Sequence, residues 1–280
     1  MAEITAAAVG KLRAMTNAGL MDCKKALTET GGDLDAAVDV LRKKGVASAA
    51  KKAGRSANEG VIAHYISPDS KSGILVEINC ETDFVAKNET FREFCNEIAK
   101  TRLENPDADF EEMRTAQVAK IGENIQFGRY ERMEVASTGL VAAYIHTGSK
   151  VGVLVEVGAG KAESTSTDAF TSLVKDITLQ IAAANPVAVR REELDAAAVQ
   201  KEREIAEEQA QGKPPQAIEK IVSGKLEKYY QNTCLEDQGF IKQNGDITVK
   251  QHVAAVGKEL GDELEIRRFL RFQVGEDAEA

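Results

Sequence analysis

A chain of 280 residues with 43% apolar content is long enough for one large core or two modest ones, and too apolar to be disordered throughout. Its net charge of -9 argues against a protein that works by neutralising phosphates, and favours a partner protein or a small molecule. Four cysteines without C-x-x-C spacing signal neither a zinc site nor a disulfide framework, and read as free thiols of a reducing cytosol.

Residues 1–54 predict three short helices. Thr5 can cap the first, in which Val9, Leu12 and Met15 follow the spacing of one buried face. Asp22 is expected to cap the second, which ends at Gly31-Gly32. Asp33 caps a third, where Leu34, Ala37, Val38 and Leu41 share a face and Gly45 is expected to stop the helix. So small a bundle buries little area, which suits a docking module better than a catalytic domain. Residues 46–59 look like a linker with some helical character, and Lys51, Lys52 and Arg55 are expected to be solvated there.

A duplication follows. Gly60-Val-Ile-Ala-His-Tyr-Ile66 and Ser70-Lys-Ser-Gly-Ile-Leu-Val-Glu-Ile78 recur without a gap as Gly139-Leu-Val-Ala-Ala-Tyr-Ile145 and Ser149-Lys-Val-Gly-Val-Leu-Val-Glu-Val157. In the first copy, β-rich runs at Val61 to Ile66 and Ile74 to Asn79 flank a turn-forming stretch, so a hairpin is expected. Phe91, Phe94, Cys95 and Ile98 mark one helix, Met113, Val118, Ile121 and Ile125 a second, and Tyr130 to Val135 a closing strand. The order is β-β-α-α-β. In the second copy the hairpin spans 140–157 and a helix about 168–184. The counterpart of Val118-Ala-Lys-Ile-Gly122 is expected at Val253-Ala-Ala-Val-Gly257, before a strand near Glu265 to Val274. Between them lies a charged insertion, 186–232. Leu194, Ala198 and Ile205 on one arm and Ile218, Ile221, Val222, Leu226 and Tyr229 on the other predict an antiparallel helical hairpin bent at Gly212-Lys-Pro-Pro215.

The fold class expected is therefore α+β. Its divisions are a helical bundle (1–54), a first core subdomain (55–138), a second (139–185 and 233–280, the latter with the C-terminal tail) and the inserted hairpin (186–232).

Enzyme signatures are sparse. Val157-Gly-Ala-Gly-Lys161 resembles a phosphate loop, but Val155 stands where its first glycine belongs and Ala162 where Ser or Thr would bind Mg²⁺, so the end of a hairpin is expected. His64, His146 and His252 lack metal-ligand spacing, and no nucleophile elbow is present. Neither a cofactor nor a metal site is expected. The N-terminus carries no basic cap before an apolar run, and no stretch is long enough to span a membrane, so a cytoplasmic location is expected.

The two copies diverge after their hairpins. Cys80-Glu-Thr-Asp-Phe-Val-Ala-Lys-Asn88 stands opposite Ala159-Gly-Lys-Ala-Glu-Ser-Thr-Ser-Thr167, so Asp83 and Phe84 face Ala162 and Glu163. Two readings stay open. Phe84 or Val85 can staple a helix capped by Asn88, with Asp83 capping locally; alternatively Phe84 projects as an apolar wedge into a partner. The copy favours the wedge, because a ring needed by the frame's own core would not be matched by Glu163.

These residues resemble the bacterial translation elongation factor Ts family. The resemblance is carried by Leu12-Arg13 with Thr16 and Gly19, Met21-Asp-Cys-Lys-Lys-Ala-Leu27, Thr82-Asp-Phe-Val-Ala-Lys87, Val118-Ala-Lys-Ile-Gly-Glu-Asn-Ile125, Tyr144-Ile-His146 with Gly152-Val-Leu-Val155, and Arg268-Phe-Leu-Arg-Phe-Gln-Val-Gly275. It implies a UBA-like bundle, a core of two related subdomains and a coiled-coil hairpin. It also implies a non-enzymatic guanine-nucleotide exchange factor for the GTPase elongation factor Tu, with no direct nucleic-acid or membrane partner.

In such factors the bundle docks on the GTPase domain, here through Arg13, Leu20 and Met21. The exchange loop, here Thr82, Asp83, Phe84, Val85, Ala86 and Lys87, enters near the Mg²⁺ and phosphate end of the nucleotide site. The neighbourhood of His146 meets another domain of the partner. A homodimer or heterotetramer through the core or the helical hairpin is left open. Asn17 and Leu20 stand where many relatives have Gly and Met. Family members often continue into a further helical module past the final strand, whereas this sequence stops at Gly275-Glu-Asp-Ala-Glu-Ala280, and contacts of that module are expected to be lost or replaced. The rival readings are a scaffolding protein that binds partners through its bundle and hairpin, and a small-molecule enzyme with a site between the subdomains.

Overall fold

The computed structural model describes residues 4–16 and 18–276. Asn17, the first three residues of the N-terminal segment and the last four of the C-terminal tail lie outside them. The fold is α+β, with two three-stranded antiparallel sheets and ten α-helices among the described residues. Contacts gather these residues into two compact units, one within Met1–Ala63, Val76–Tyr130 and Val274–Ala280, the other within His64–Leu75 and Glu131–Gln273.

The bundle consists of α1 (Ala6–Thr16), α2 (Leu20–Glu29) and α3 (Leu34–Lys52) around Val9, Leu12, Cys23, Ala26, Leu27 and Ala37. Thr5 Oγ1 accepts from the Ala8 N–H at 3.2 Å, and Asp33 Oδ1 from that of Ala36 at 3.0 Å, so side chains satisfy the first free donors of α1 and α3. Three expectations need correction. Gly19, not Asp22, precedes α2, and Asp22 lies inside its first turn, where its charge suits the positive helix end. Met15 is 54% exposed, because Thr16, four residues after Leu12, takes the inward place and its hydroxyl bonds the Leu12 carbonyl at 2.8 Å. Gly45 does not stop α3. The helix runs on to Lys52, and Gly45 lies inside it, buried where α6 (Glu111–Ile121) packs, with the Ala119 Cβ 3.6 Å from where a Cβ of its own would stand.

The first sheet has the order β1-β2-β3, with β1 at Glu59–Ile66, β2 at Ser72–Cys80 and β3 at Ile125–Glu134. Between β2 and β3 come α4 (Asp83–Ala86), α5 (Glu89–Glu104) and α6. The apolar face of α5, with Phe91, Phe94, Cys95 and Ile98, is buried, and Phe94 and Phe110 both lie against the Phe127 ring at centroid distances of 6.4 and 5.9 Å. Ile125 belongs to β3 rather than to the helix stripe. Gly122, at φ 87°, ends α6 in a left-handed turn that a side chain would strain, and the strand starts three residues later.

The second sheet has the order β4-β5-β6, with β4 at Gly139–Ile145, β5 at Val151–Ala159 and β6 at Leu264–Gln273. Its core joins Val153, Val155 and Val157 to Phe170, Leu173 and Ile177 of α7 (Asp168–Ala184) and to Val253 of α10 (Val249–Leu260). The glycine that ends α10 is Gly261, at φ 61°; Gly257, expected to match Gly122, lies inside the helix, where its bare Cα admits the Asp262 carbonyl. The insertion forms α8 (Ala196–Gln209) and α9 (Pro215–Thr233). Their seam is Ala206, Val222 and Leu226, flanked by Val199, Ile218 and Tyr230. The α8 stripe is thus displaced by one residue from Ala198 and Ile205, because Val199 and Ala206, two turns apart, point to α9 and leave Ile205 exposed.

A buried carboxylate recurs on each middle strand. Glu77 accepts from Arg129 Nε at 3.1 Å and from the Gly275 N–H at 3.2 Å. Glu156, fully buried, accepts from Arg267 Nη1 at 2.9 Å, Arg268 Nε at 2.8 Å and the Ala136 N–H at 2.8 Å. Burial would raise the Glu156 pKa, but the Ala136 N–H and the two guanidinium groups more than offset it and hold the carboxyl below its ordinary value. A depressed folded-state pKa means that the stabilisation is complete above the unfolded value, about 4.3, and is lost as pH falls through the folded one.

In urea at neutral pH, Glu156→Gln is expected to lower stability by about 3 kcal/mol, since it leaves charges without their partner. The gap to wild type should narrow as pH falls below the ordinary carboxylate range and the wild-type carboxyl takes up its own proton. Equal stability at neutral pH would show that the cluster adds nothing.

Candidate functional site

The segment after β2 is built for presentation. Backbone N–H groups leaving a strand need acceptors, and Glu123, next to the left-handed Gly122, supplies them. Its Oε2 accepts from the Glu81 and Thr82 N–H groups at 3.1 and 3.0 Å, and its Oε1 from the Thr82 hydroxyl at 2.7 Å. Thr82 is in turn the N-cap of α4, its Oγ1 accepting from the Val85 N–H at 3.4 Å. The Cys80 thiol donates to the Thr82 carbonyl at 3.3 Å. Burial, reinforced by the Glu123 and Glu59 charges, pushes that thiol's pKa up to about 12, so it stays a neutral donor. At the far end, Arg92 Nε donates to the Ala86 carbonyl at 3.0 Å, and Asn88 Oδ1 accepts from the Phe91 N–H at 3.3 Å to start α5.

This single turn buries Ala86, half-buries Val85 and leaves Phe84 82% exposed. Asp83 therefore does not act as the local cap; Thr82 does, and Phe84 does not staple α5. Lys87 Nζ donates to Asp83 Oδ2 at 2.6 Å across one turn, with both groups open to solvent. In the second copy the same stretch is a 3₁₀ turn, Glu163–Ser166, with Glu163 exposed and Thr167 capping α7 where Asn88 caps α5. The glycine-rich stretch ending in Lys161 closes a hairpin, its amine donating to the Gly261 carbonyl at 2.7 Å.

The other predicted residues lie elsewhere. Arg13 is exposed in the last turn of α1, and Leu20 and Met21 are 53% and 60% exposed at the start of α2. Met15 joins them as a solvent-facing apolar side chain that the helical spacing alone assigned to the core. His146 is exposed at the end of β4, its Nδ1 3.1 Å from the Tyr144 hydroxyl. Glu123 went unnoticed as a site residue; its signal is an acid directly after a helix-ending glycine, repeated as Asp262 after Gly261.

No group of three or more His, Cys, Asp or Glu able to hold a metal ion occurs among the described residues, and none of their helices is long and apolar enough to cross a membrane. What the described residues present here is an exposed ring on a turn braced at both ends.

Comparisons with known proteins specify the class. The family model described as Elongation factor TS matches residues 81–276. Elongation factor Ts of Symbiobacterium thermophilum is 46% identical, the match covering 100% of this chain and 94% of the relative. The proteins of the same name from Clostridium novyi and Trichlorobacter lovleyi are 44% and 43% identical, each over 99% of this chain and 94% of their own length. The chain belongs to the elongation factor Ts family, and nucleotide exchange on elongation factor Tu is the role that membership implies.

Exposed pairs across one helical turn contribute little. Lys87→Ala is expected to change the unfolding free energy by less than about 0.5 kcal/mol. A loss above about 1 kcal/mol in urea titration would instead make the Asp83–Lys87 pair part of what holds the turn.

Proposed function

We propose that the chain binds elongation factor Tu and promotes GDP release by disturbing the Mg²⁺ and phosphate end of the partner's nucleotide site during translation elongation, with Phe84 as the wedge. The observation that carries this reading is the ring's exposure on a turn braced at both ends, against a glutamate at the matching place of the duplicate. Burying a phenylalanine yields about 2–3 kcal/mol, so an exposed ring carried on a braced turn is a ready source of binding energy for a partner surface. Arg13, Leu20 and Met21 are the bundle's docking residues in this reading, and His146 that of the second core subdomain. Met15, 54% exposed on α1, is a further apolar side chain of the bundle open to a partner.

Mg²⁺ and the backbone donors of a phosphate loop hold a nucleotide chiefly by charge, so displacing either by about an ångström weakens it severely. Every 1.4 kcal/mol or so lost is a tenfold loss of affinity. Asp83, half-exposed one residue before the ring, brings negative charge to the same place and repels or rearranges groups around the metal. Coupling between two ligands is reciprocal, so the nucleotide expels the factor as strongly as the factor expels the nucleotide. No bond is made or broken. The factor accelerates exchange without setting its end point.

Stopped-flow release of fluorescent GDP from elongation factor Tu tests the wedge. Phe84→Ala is expected to keep the fold and to slow stimulated release by about tenfold or more, whereas Glu163→Ala leaves it near wild type. Wild-type release by Phe84→Ala would refute the wedge, and wild-type binding with no stimulation by the unmutated chain would mark a scaffold.

A further inference from the structure

We propose that Glu123 is a positioning residue for nucleotide exchange: it fixes the direction in which Phe84 leaves the surface, and so sets the maximal rate of release rather than the affinity for the partner. The inference rests on the wedge reading above.

Its basis is a comparison of two clamps at matching places of the duplicated frame. In the second copy Asp262, following Gly261, accepts from the Lys161 N–H at 3.0 Å through Oδ2, and the Gly160 N–H goes to the Glu263 carbonyl at 3.0 Å. The Ser164 side chain bonds Asp262 as well, and these contacts close the strand-to-helix crossing. In the first copy the acid is one carbon longer and its hydroxyl partner lies at a different place in the loop. It takes two backbone N–H groups on one oxygen and the Thr82 hydroxyl on the other. A hydroxyl whose proton is committed to Glu123 has its lone pairs left for the Val85 N–H, so the carboxylate fixes the cap that starts the Phe84 turn. Both acids engage a side-chain hydroxyl, but only Thr82 is the N-cap of the turn that follows; the 3₁₀ turn of the second copy has no side-chain cap.

The same loop is tied further. Glu81 Oε1 accepts from the Asn124 N–H at 2.6 Å and from Arg55 Nη1 at 3.4 Å, while Asn124 Nδ2 donates to the Arg55 carbonyl at 2.8 Å. Glu81 and Glu123 thus reach across in opposite directions, and the crossing is anchored to the segment that follows α3. A carboxamide at position 123 offers one acceptor oxygen in place of two, so it cannot serve both the backbone pair and the hydroxyl. The ring then keeps its exposure and loses its aim.

The test measures stimulated GDP release over a range of factor concentrations for wild type, Glu123→Gln, Phe84→Ala and the double variant. Glu123→Gln is expected to lower the maximal rate about tenfold with half-saturation within about twofold, and to have no further effect once Phe84 is alanine. Asp262→Asn is the control for a merely structural clamp and should leave the maximal rate unchanged. An unchanged maximal rate in Glu123→Gln beside a slow Phe84→Ala overturns the positioning role and spares the wedge. An equal loss in both Phe84 backgrounds also overturns it, since Glu123 would then act elsewhere. Wild-type release by Phe84→Ala overturns both. If Glu123→Gln does not fold, Thr82→Val, which removes only the hydroxyl, is judged by the same outcomes.

Discussion

Two backbone N–H groups at the end of β2 have no partner in the sheet, and the carboxylate that receives them decides what the chain can present at that point. In both halves of the core the solution is an acid placed directly after a left-handed glycine at a helix end. The glycine turns the chain back towards the crossing, and the acid closes it. With the crossing closed, the residues just beyond it are released from structural duty and can vary. One half carries Asp83 and Phe84 there, the other Ala162 and Glu163.

Duplication separates frame from payload within one molecule. The buried glutamates Glu77 and Glu156, their arginine partners Arg129 and Arg268, and the helix caps Asn88 and Thr167 recur at matching places. These are the costly parts, since a buried charge without its partner destabilises by several kcal/mol. The exposed ring does not recur. A side chain kept for packing would be under the same constraint in both copies, and this asymmetry is what the wedge proposal rests on.

Much of the frame was legible in the sequence because its signals are local. Thr5, Asp33 and Asn88 stand where helices begin, and α7 follows from the spacing of Phe170, Leu173, Val174 and Ile177. The misreadings share one cause, which is that local spacing cannot report a tertiary contact. Gly45 looked like a stop because nothing nearby in sequence reveals that α6 lies over it. Met15 fell on the stripe of α1, but its helix ends one residue later and Thr16 takes the inward position. Gly257 matched Gly122 by its neighbours Val253 and Ala254, while the glycine in the equivalent turn is Gly261, one helical turn on. Of the site, Phe84 was legible through comparison of the copies. Glu123 was not, because its partners lie some forty residues away in the chain.

A factor of this kind gains its effect from the difference between two complexes, not from the tightness of either. Preorganisation matters for that reason: a loop that must first be ordered loses part of its binding energy to entropy, and a turn already braced spares the partner that cost. The most direct test of the central claim is a crystal structure of the chain bound to nucleotide-free elongation factor Tu. The account predicts that the Phe84 ring, open to water in the free chain, is enclosed by the partner beside the place of Mg²⁺ and the nucleotide phosphates. A ring still facing solvent in that complex would contradict it.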